Sequence, residues 1–147
     1  MIQKIDADFA WEKTAQLLAI DSPSGFTDRA AAWVRGEFEK LGFSAFVTAK
    51  GGVLADLGGS DGQDALLLEA HTDTLGGMVA QIKSSGCLKL TNLGGMNANN
   101  AETENVRVYT RSGKVYEGTC QLHDPSIHVN GGYNDAKRSW DSVEIVL

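Results

Sequence analysis

The segment His71-Thr72-Asp73 has the residue types and the spacing of a metal-ligand motif. A neutral imidazole is the commonest protein ligand for a transition metal, and it binds best when a carboxylate holds its second nitrogen. Asp73 lies two residues after His71, so its carboxylate can fix the ring and raise its basicity. Alone, however, the pattern His-x-Asp is weak, because it also arises by chance and a His at a strand end is usually structural.

Other residues are weaker candidates for a binding site. Glu69, just before the motif, is either a further partner for it or a solvated strand residue. His123 and His128 flank Pro125 in a long polar segment, and we interpret them as surface loop residues rather than as a second ligand pair. The glycine pairs form no phosphate loop, because the pattern G-x-x-x-x-G-K-[ST] is absent from the sequence.

The elements before the motif must position it, and their patterns predict two helices, a hairpin and a strand. Apolar residues at helical spacing predict helices over 8–20 and 27–41, with Trp11 and Trp33 on buried faces. Thr27 can cap the second helix and Gly42 can end it. Two short strands, 43–48 and 53–57, form a predicted hairpin.

The apolar run 65–70 is typical of a strand buried on both faces of a sheet. In open α/β sheets, ligands bind outside the carboxyl ends of the strands. The motif follows this run directly, so its predicted position suits a binding site.

After Thr74 the pattern changes to closely spaced short strands with glycine turns, which predicts a small β-barrel or sandwich. We therefore expect a first domain over 1–74 and a β-rich domain over 75–147. The segment 123–139 is a predicted polar loop, as is the stretch 97–100. The predicted strands are 78–83, 87–91, 106–110, 115–119 and 141–147.

Composition excludes several classes of protein. The net charge is −6 and no basic cluster is present, which argues against a nucleic-acid partner. No apolar run approaches the roughly 20 residues of a membrane span. The first eight residues have no apolar core of a secretory signal, and Cys87 and Cys120 are expected to be reduced thiols. We therefore expect a cytoplasmic protein without a membrane partner.

The sequence around the motif resembles a known family. The stretch from Leu68 to Val79 is similar to the first metal-binding segment of the tetrahedral-aminopeptidase and glutamyl-aminopeptidase family. The members of this family are dinuclear metallopeptidases. The resemblance extends in order along the chain, through Ser22-Pro23-Ser24-Gly25, Gly86 to Leu90, Leu93-Gly94-Gly95, Val106 to Thr110 and Ser126 to Val129.

This resemblance implies an α/β fold: the N-terminal part of a zinc-peptidase-like α/β sheet domain, then an inserted β-barrel-like domain of the dimerisation type, truncated at the C-terminus. It implies that His71 is a metal ligand and that Asp73 is the catalytic-site carboxylate that orients it. The intact enzyme would use two divalent metal ions, with zinc or cobalt expected. Its two-metal activated water would hydrolyse N-terminal residues from peptide substrates, and it would form a homo-oligomer.

The family's remaining ligands include an adjacent Glu-Glu pair, and no such pair occurs in this sequence. Family members are also more than twice as long. We therefore expect an N-terminal fragment that binds metal weakly or not at all and is inactive alone. The chain stops inside a predicted strand at Leu147, which indicates a cut through a structure or, alternatively, a terminal strand paired in the sheet.

Two alternatives stay open. The chain could be a non-catalytic, shortened protein that keeps the β-domain as an interaction module. It could instead be the start of a related metallo-carboxypeptidase or deacylase, which also opens with His-x-Asp. Leu93-Gly94-Gly95 and the β-domain placed directly after the motif argue against this second alternative.

Overall fold

The computed structural model describes residues 5–147. Residues 1–4, which belong to the segment that argues against a secretory signal, lie outside this range. The chain divides into two compact units, residues 1–74 and 75–147. Within the described residues, no helix is both long enough and apolar enough to cross a bilayer.

The first unit opens with two helices, as predicted. Helix α1 spans Ala7–Leu18, and the Asp6 side chain caps it by accepting a hydrogen bond from the main-chain N–H of Phe9. Helix α2 spans Asp28–Lys40 and starts after Thr27, whose side chain makes no capping hydrogen bond.

Gly42 ends α2, as the sequence predicts. Its φ is +88°, a conformation that glycine adopts without steric cost. The N–H groups of Gly42 and Phe43 donate to the carbonyl oxygens of Glu39 and Phe38, each at 3.0 Å. This pair of hydrogen bonds is the Schellman motif, and it satisfies carbonyl groups that the helix leaves unpaired.

The predicted hairpin is confirmed. Strands β1 (Ser44–Val47) and β2 (Val53–Asp56) pair antiparallel, from Ser44 opposite Asp56 to Val47 opposite Val53.

Two expectations for the first unit are wrong. The run 65–70 is not a strand, and the side chains of Leu66, Leu67 and Leu68 are 85%, 69% and 75% exposed. A strand is buried on both faces only when neighbouring strands and helices surround it, and the run joins neither sheet of the described chain. Trp11 is also not a core residue, since it is 77% exposed on a helix with no buried residue. Trp33 is half-buried.

The second unit is a five-stranded antiparallel sheet with the strand order β3-β4-β7-β6-β5. All five strands were predicted, with bounds that differ by a few residues. The strands are β3 (Gly76–Ile82), β4 (Leu88–Leu93), β5 (Asn105–Tyr109), β6 (Val115–Leu122) and β7 (Val143–Val146).

Two short helical segments fall in the predicted polar loops. Helix α3 spans Ala98–Ala101, and a 3-10 turn spans Tyr133–Asp135. The α3 segment was predicted as a loop, but the Asn97 side chain accepts from the N–H of Asn99, and both terminal alanines of the helix are buried. Capping and burial therefore outweigh the loop preference of the asparagines.

The central strand β7 carries the core of the second unit. Val143 and Ile145 are each 1% exposed, and Cys120 and Leu122 of β6 pack in the same cluster. Burial raises the pKa of the Cys120 thiol, with a smaller contribution from the Glu102 carboxylate. Both Cys87 and Cys120 are free thiols.

Candidate metal-ligand site

The imidazole of His71 is held on one side by Asp73. Its Nδ1 atom lies 3.0 Å from the main-chain oxygen of Asp73 and 3.1 Å from the carboxylate Oδ1 of the same residue. A carbonyl oxygen and an ionised carboxylate can each only accept a hydrogen bond, so the two contacts together favour the tautomer that carries the proton on Nδ1. The Nε2 atom of the neutral ring then keeps its lone pair, on a side chain that is 86% exposed. This is the tautomer that can bind a metal ion through Nε2.

The Asp73 carboxylate is itself fixed by a third side chain. The Ser24 hydroxyl donates to Asp73 Oδ2 at 2.5 Å, the length of a charge-assisted hydrogen bond. This hydrogen bond is the main cause that lowers the pKa of the Asp73 carboxyl below its ordinary value. Partial burial opposes the shift, and the neighbouring imidazole adds to it. Asp73 is therefore ionised at neutral pH, and both of its carboxylate oxygens can accept hydrogen bonds.

Main-chain contacts hold the Ser24 segment beside the motif. The N–H of Thr74 donates to the carbonyl oxygen of Ser22 at 2.7 Å, and Pro23 and Thr74 form a parallel bridge. The N–H of Phe26 donates to the carbonyl of Pro23 at 2.8 Å and closes a turn that contains Ser24. The segment is therefore joined to the motif by both main chain and side chain.

Sequence reasoning gave no role to Ser24. A contact that spans 49 residues leaves no periodic signal in the sequence. Glu69, the other candidate partner for the motif, is exposed.

The remaining histidines lie in the second unit, exposed as predicted. His123 takes part in a polar cluster in which the Lys83 ammonium contacts His123 Nε2 at 2.7 Å and Glu144 Oε2 at 2.6 Å. Burial would raise the pKa of Glu144, but the hydrogen bonds from Lys83 and Cys87 leave it below its ordinary value. His123 Nε2 also lies 3.5 Å from Glu144 Oε2, but the Lys83 ammonium contacts both side chains, and a cation in that position opposes the binding of a metal ion.

The residues of the site fit one coordination position of a metal ion and not a complete centre. His71 offers one free nitrogen, whereas a catalytic zinc site has three protein ligands. In the described part of the chain, no group of three or more His, Cys, Asp or Glu side chains could hold a metal ion. The site can therefore contribute a ligand, but it cannot by itself surround an ion.

Comparison with known proteins identifies the class. The sequence model of the M42 glutamyl aminopeptidases matches residues 51–147, and the chain belongs to this family. The resemblance in the sequence is therefore confirmed.

A curated relative agrees with this assignment. The Bacillus subtilis (strain 168) protein named "Putative aminopeptidase YhfE" is 36% identical over 136 residues, which are 92% of this chain and 39% of that protein. The chain thus spans about two fifths of the length of this curated relative.

Solved structures show the same fold. An aminopeptidase from the archaeon Desulfurococcus kamchatkensis is 25% identical, with a TM-score of 0.77 over 91% of this chain and 36% of its own. The TET1 peptidase of Pyrococcus horikoshii is 24% identical, with a TM-score of 0.74 over 91% of this chain and 39% of its own. The predicted α/β class is confirmed, and the match covers a limited part of each larger protein.

Proposed function

We propose that this chain is the N-terminal part of a metal-dependent aminopeptidase, in which His71 is one metal ligand and Asp73 is the carboxylate that orients it. The observation that supports this role most directly is the His71 ring, anchored at Nδ1 and open at Nε2, in a chain of the M42 family. The proposed substrates are peptides, from which the whole protein removes N-terminal residues.

The two units have separate roles in this proposal. Residues 1–74 form part of the catalytic domain, and residues 75–147 form an inserted, dimerisation-type domain. We propose a homo-oligomer, since the Pyrococcus horikoshii TET1 peptidase is described as assembling into a tetrahedron or an octahedral shell. We propose a cytoplasmic location, where the free thiols of Cys87 and Cys120 would stay reduced.

Metal chemistry belongs to the whole protein in this proposal. Two divalent ions, zinc or cobalt, would when bound supply Lewis-acid activation of the water that attacks the peptide bond. The residues of this chain have a narrower task, because Asp73 holds the proton of His71 at Nδ1 and leaves Nε2 free as a ligand. With one ligand in place, the isolated chain does not hydrolyse peptides.

A chimera tests this proposal. Residues 1–147 replace the matching part of the Bacillus subtilis relative, and release of the first residue is measured on a peptide with a free N-terminus and on its acetylated form. We expect metal-dependent release from the free peptide only, its loss in a His71→Ala chimera, and no release by the isolated chain. The unchanged relative is assayed in parallel. A His71→Ala chimera as active as its parent would contradict the proposal.

A second candidate function rests on the core of the second unit. The cluster of buried apolar residues around Val143 and Ile145 lies wholly within 75–147, so this unit has a core of its own. Such a unit could serve as an interaction module in a shortened, non-catalytic protein. Two results together would favour this function. The chimera would fold but be inactive although the host protein is active, and the isolated chain would assemble into oligomers in sedimentation experiments.

A further inference from the structure

We propose that Ser24 is the positioning residue that fixes the Nδ1–H tautomer of His71, by holding the Asp73 carboxylate in the orientation that accepts from the imidazole. The relevance of this role to peptide hydrolysis rests on the proposed function. The role itself is a property of the isolated chain and needs no metal ion.

The two carboxylate oxygens of Asp73 have different partners. Oδ2 accepts from the Ser24 hydroxyl at 2.5 Å, and Oδ1 lies 3.1 Å from His71 Nδ1. Since the two oxygens are rigidly joined, the bond to Ser24 also sets the direction of Oδ1. The Asp73 side chain is 42% exposed, so without Ser24 water could take its place and the carboxylate could turn away from the ring.

Loss of the Ser24 hydroxyl would therefore weaken the restraint on the His71 imidazole. The His71 side chain is 86% exposed and has few other restraints. With Oδ1 no longer directed at it, Nδ1 keeps only the main-chain oxygen of Asp73 at 3.0 Å. A ring held by one neutral acceptor exchanges more readily with the Nε2–H tautomer, which cannot bind a metal through Nε2.

The same loop provides a matched control. Ser22 has a fully buried side chain, and its hydroxyl has no hydrogen-bond partner among residues 5–147. The loop is held to Thr74 by the carbonyl of Ser22, which a side-chain substitution keeps. Ser22→Ala and Ser24→Ala each remove one hydroxyl from this loop, but only the second hydroxyl contacts Asp73.

The test is nitrogen-15 NMR of the three histidines in the 147-residue chain, without metal. Spectra are recorded at rising pH values, and the variants are compared at pH values above the point where the ring nitrogen shifts stop changing, so that the imidazoles are neutral. The chemical shifts of the two ring nitrogens report which one is protonated, and a His71→Ala variant assigns the signals. The variants are Ser24→Ala, Ser22→Ala and the nearly isosteric pair Ser24→Thr and Ser24→Val.

The expected result separates the variants by their hydroxyl groups. His71 should be predominantly Nδ1–H in the native chain, in Ser22→Ala and in Ser24→Thr. In Ser24→Ala and Ser24→Val it should shift toward a mixture with a clear Nε2–H component, while the main-chain amide spectrum stays that of the folded chain.

Three results would overturn the proposal. One is a native Nδ1–H population that survives in Ser24→Ala and Ser24→Val. Another is an equal shift in Ser22→Ala. The third is loss of the folded amide spectrum in the hydroxyl-free variants at position 24, which would assign Ser24 to folding. Failure of the aminopeptidase proposal would leave these spectra unchanged, so the two failures can be told apart.

Discussion

Gly118 of β6 lies so close to Val146 of β7 that a β-carbon at position 118 would stand 2.5 Å from the Val146 carbonyl oxygen. Side-chain atoms of Ile145 and Leu147 would be 3.0 Å and 3.1 Å from the same point. The close packing of β6 on the central strand therefore depends on a glycine at this position.

This contact predicts that Gly118→Ala lowers the free energy of unfolding of the second unit by about 1–3 kcal/mol, because main chain must move to admit the methyl group. Denaturant unfolding followed by Trp140 fluorescence, with Trp11 and Trp33 replaced by Phe, would measure the change. Gly95→Ala is the control, since nothing lies within 4 Å of its β-carbon position. Equal stability of the two variants would show that β6 and β7 are not packed this closely.

The buried core and the exposed apolar run should respond differently to truncation. Ile145→Ala should cost about 2–5 kcal/mol and Ile145→Val about 0.5–1.5 kcal/mol, because Ile145 is 1% exposed. Leu67→Ala, at a side chain that is 69% exposed, should change stability by less than about 0.5 kcal/mol. Thermal and denaturant unfolding of the three variants measure these costs. A large cost at Leu67 would mean that the run is covered in solution.

The contrast between these two sites shows what the sequence could predict. The stop of α2 at Gly42 and the short strands of the second unit depend on local periodicity and turn chemistry, so their patterns identified them. The burial of the run 65–70 depends on partner elements that its own residues do not specify. The bond from Ser24 to Asp73 likewise depends on a contact between distant segments. His71 and Asp73 could be selected as candidates because they lie two residues apart.

Thr103 has a φ of +73°, a conformation that strains a β-branched residue. Its N–H nevertheless donates to the carbonyl of Cys120 at 2.7 Å, so the position is fixed by the sheet. We predict that Thr103→Gly raises the melting temperature of the second unit, because glycine relieves the backbone strain. Glycine also adds freedom to the unfolded chain, so the net increase in the free energy of unfolding should be at most about 1 kcal/mol. Thr103→Ala keeps the β-carbon and should gain less. A loss of stability in Thr103→Gly would show that the threonine is not strained.

The ion pair between Glu102 and Arg138 should make stability depend on pH. Arg138 Nε donates to Glu102 Oε2 at 2.7 Å, and this contact is the main cause that lowers the pKa of the Glu102 carboxyl. A carboxyl whose pKa is lower in the folded state than in the unfolded chain stabilises the fold. Its full contribution is present when the pH is above the pKa in the unfolded chain, near 4.3. That contribution is lost as the pH falls through the lower, folded value.

We therefore predict that the loss of stability from pH 7 to pH 3 is smaller in Glu102→Gln than in the native chain. Melting curves at both pH values measure it, and Glu104→Gln is the control because Glu104 is the exposed neighbour. An unchanged pH dependence in Glu102→Gln would contradict the role of the ion pair.

The most direct test of the incomplete site is a calorimetric titration of the purified 147-residue chain with zinc, with the His71→Ala variant as control. We predict no binding, or weak binding that disappears in the variant, because the proposed ligand His71 supplies a single nitrogen and no cluster among residues 5–147 completes a site. Tight, stoichiometric binding that is lost in the variant would contradict it. That result would mean that further ligands come from another chain or from His123 and His128.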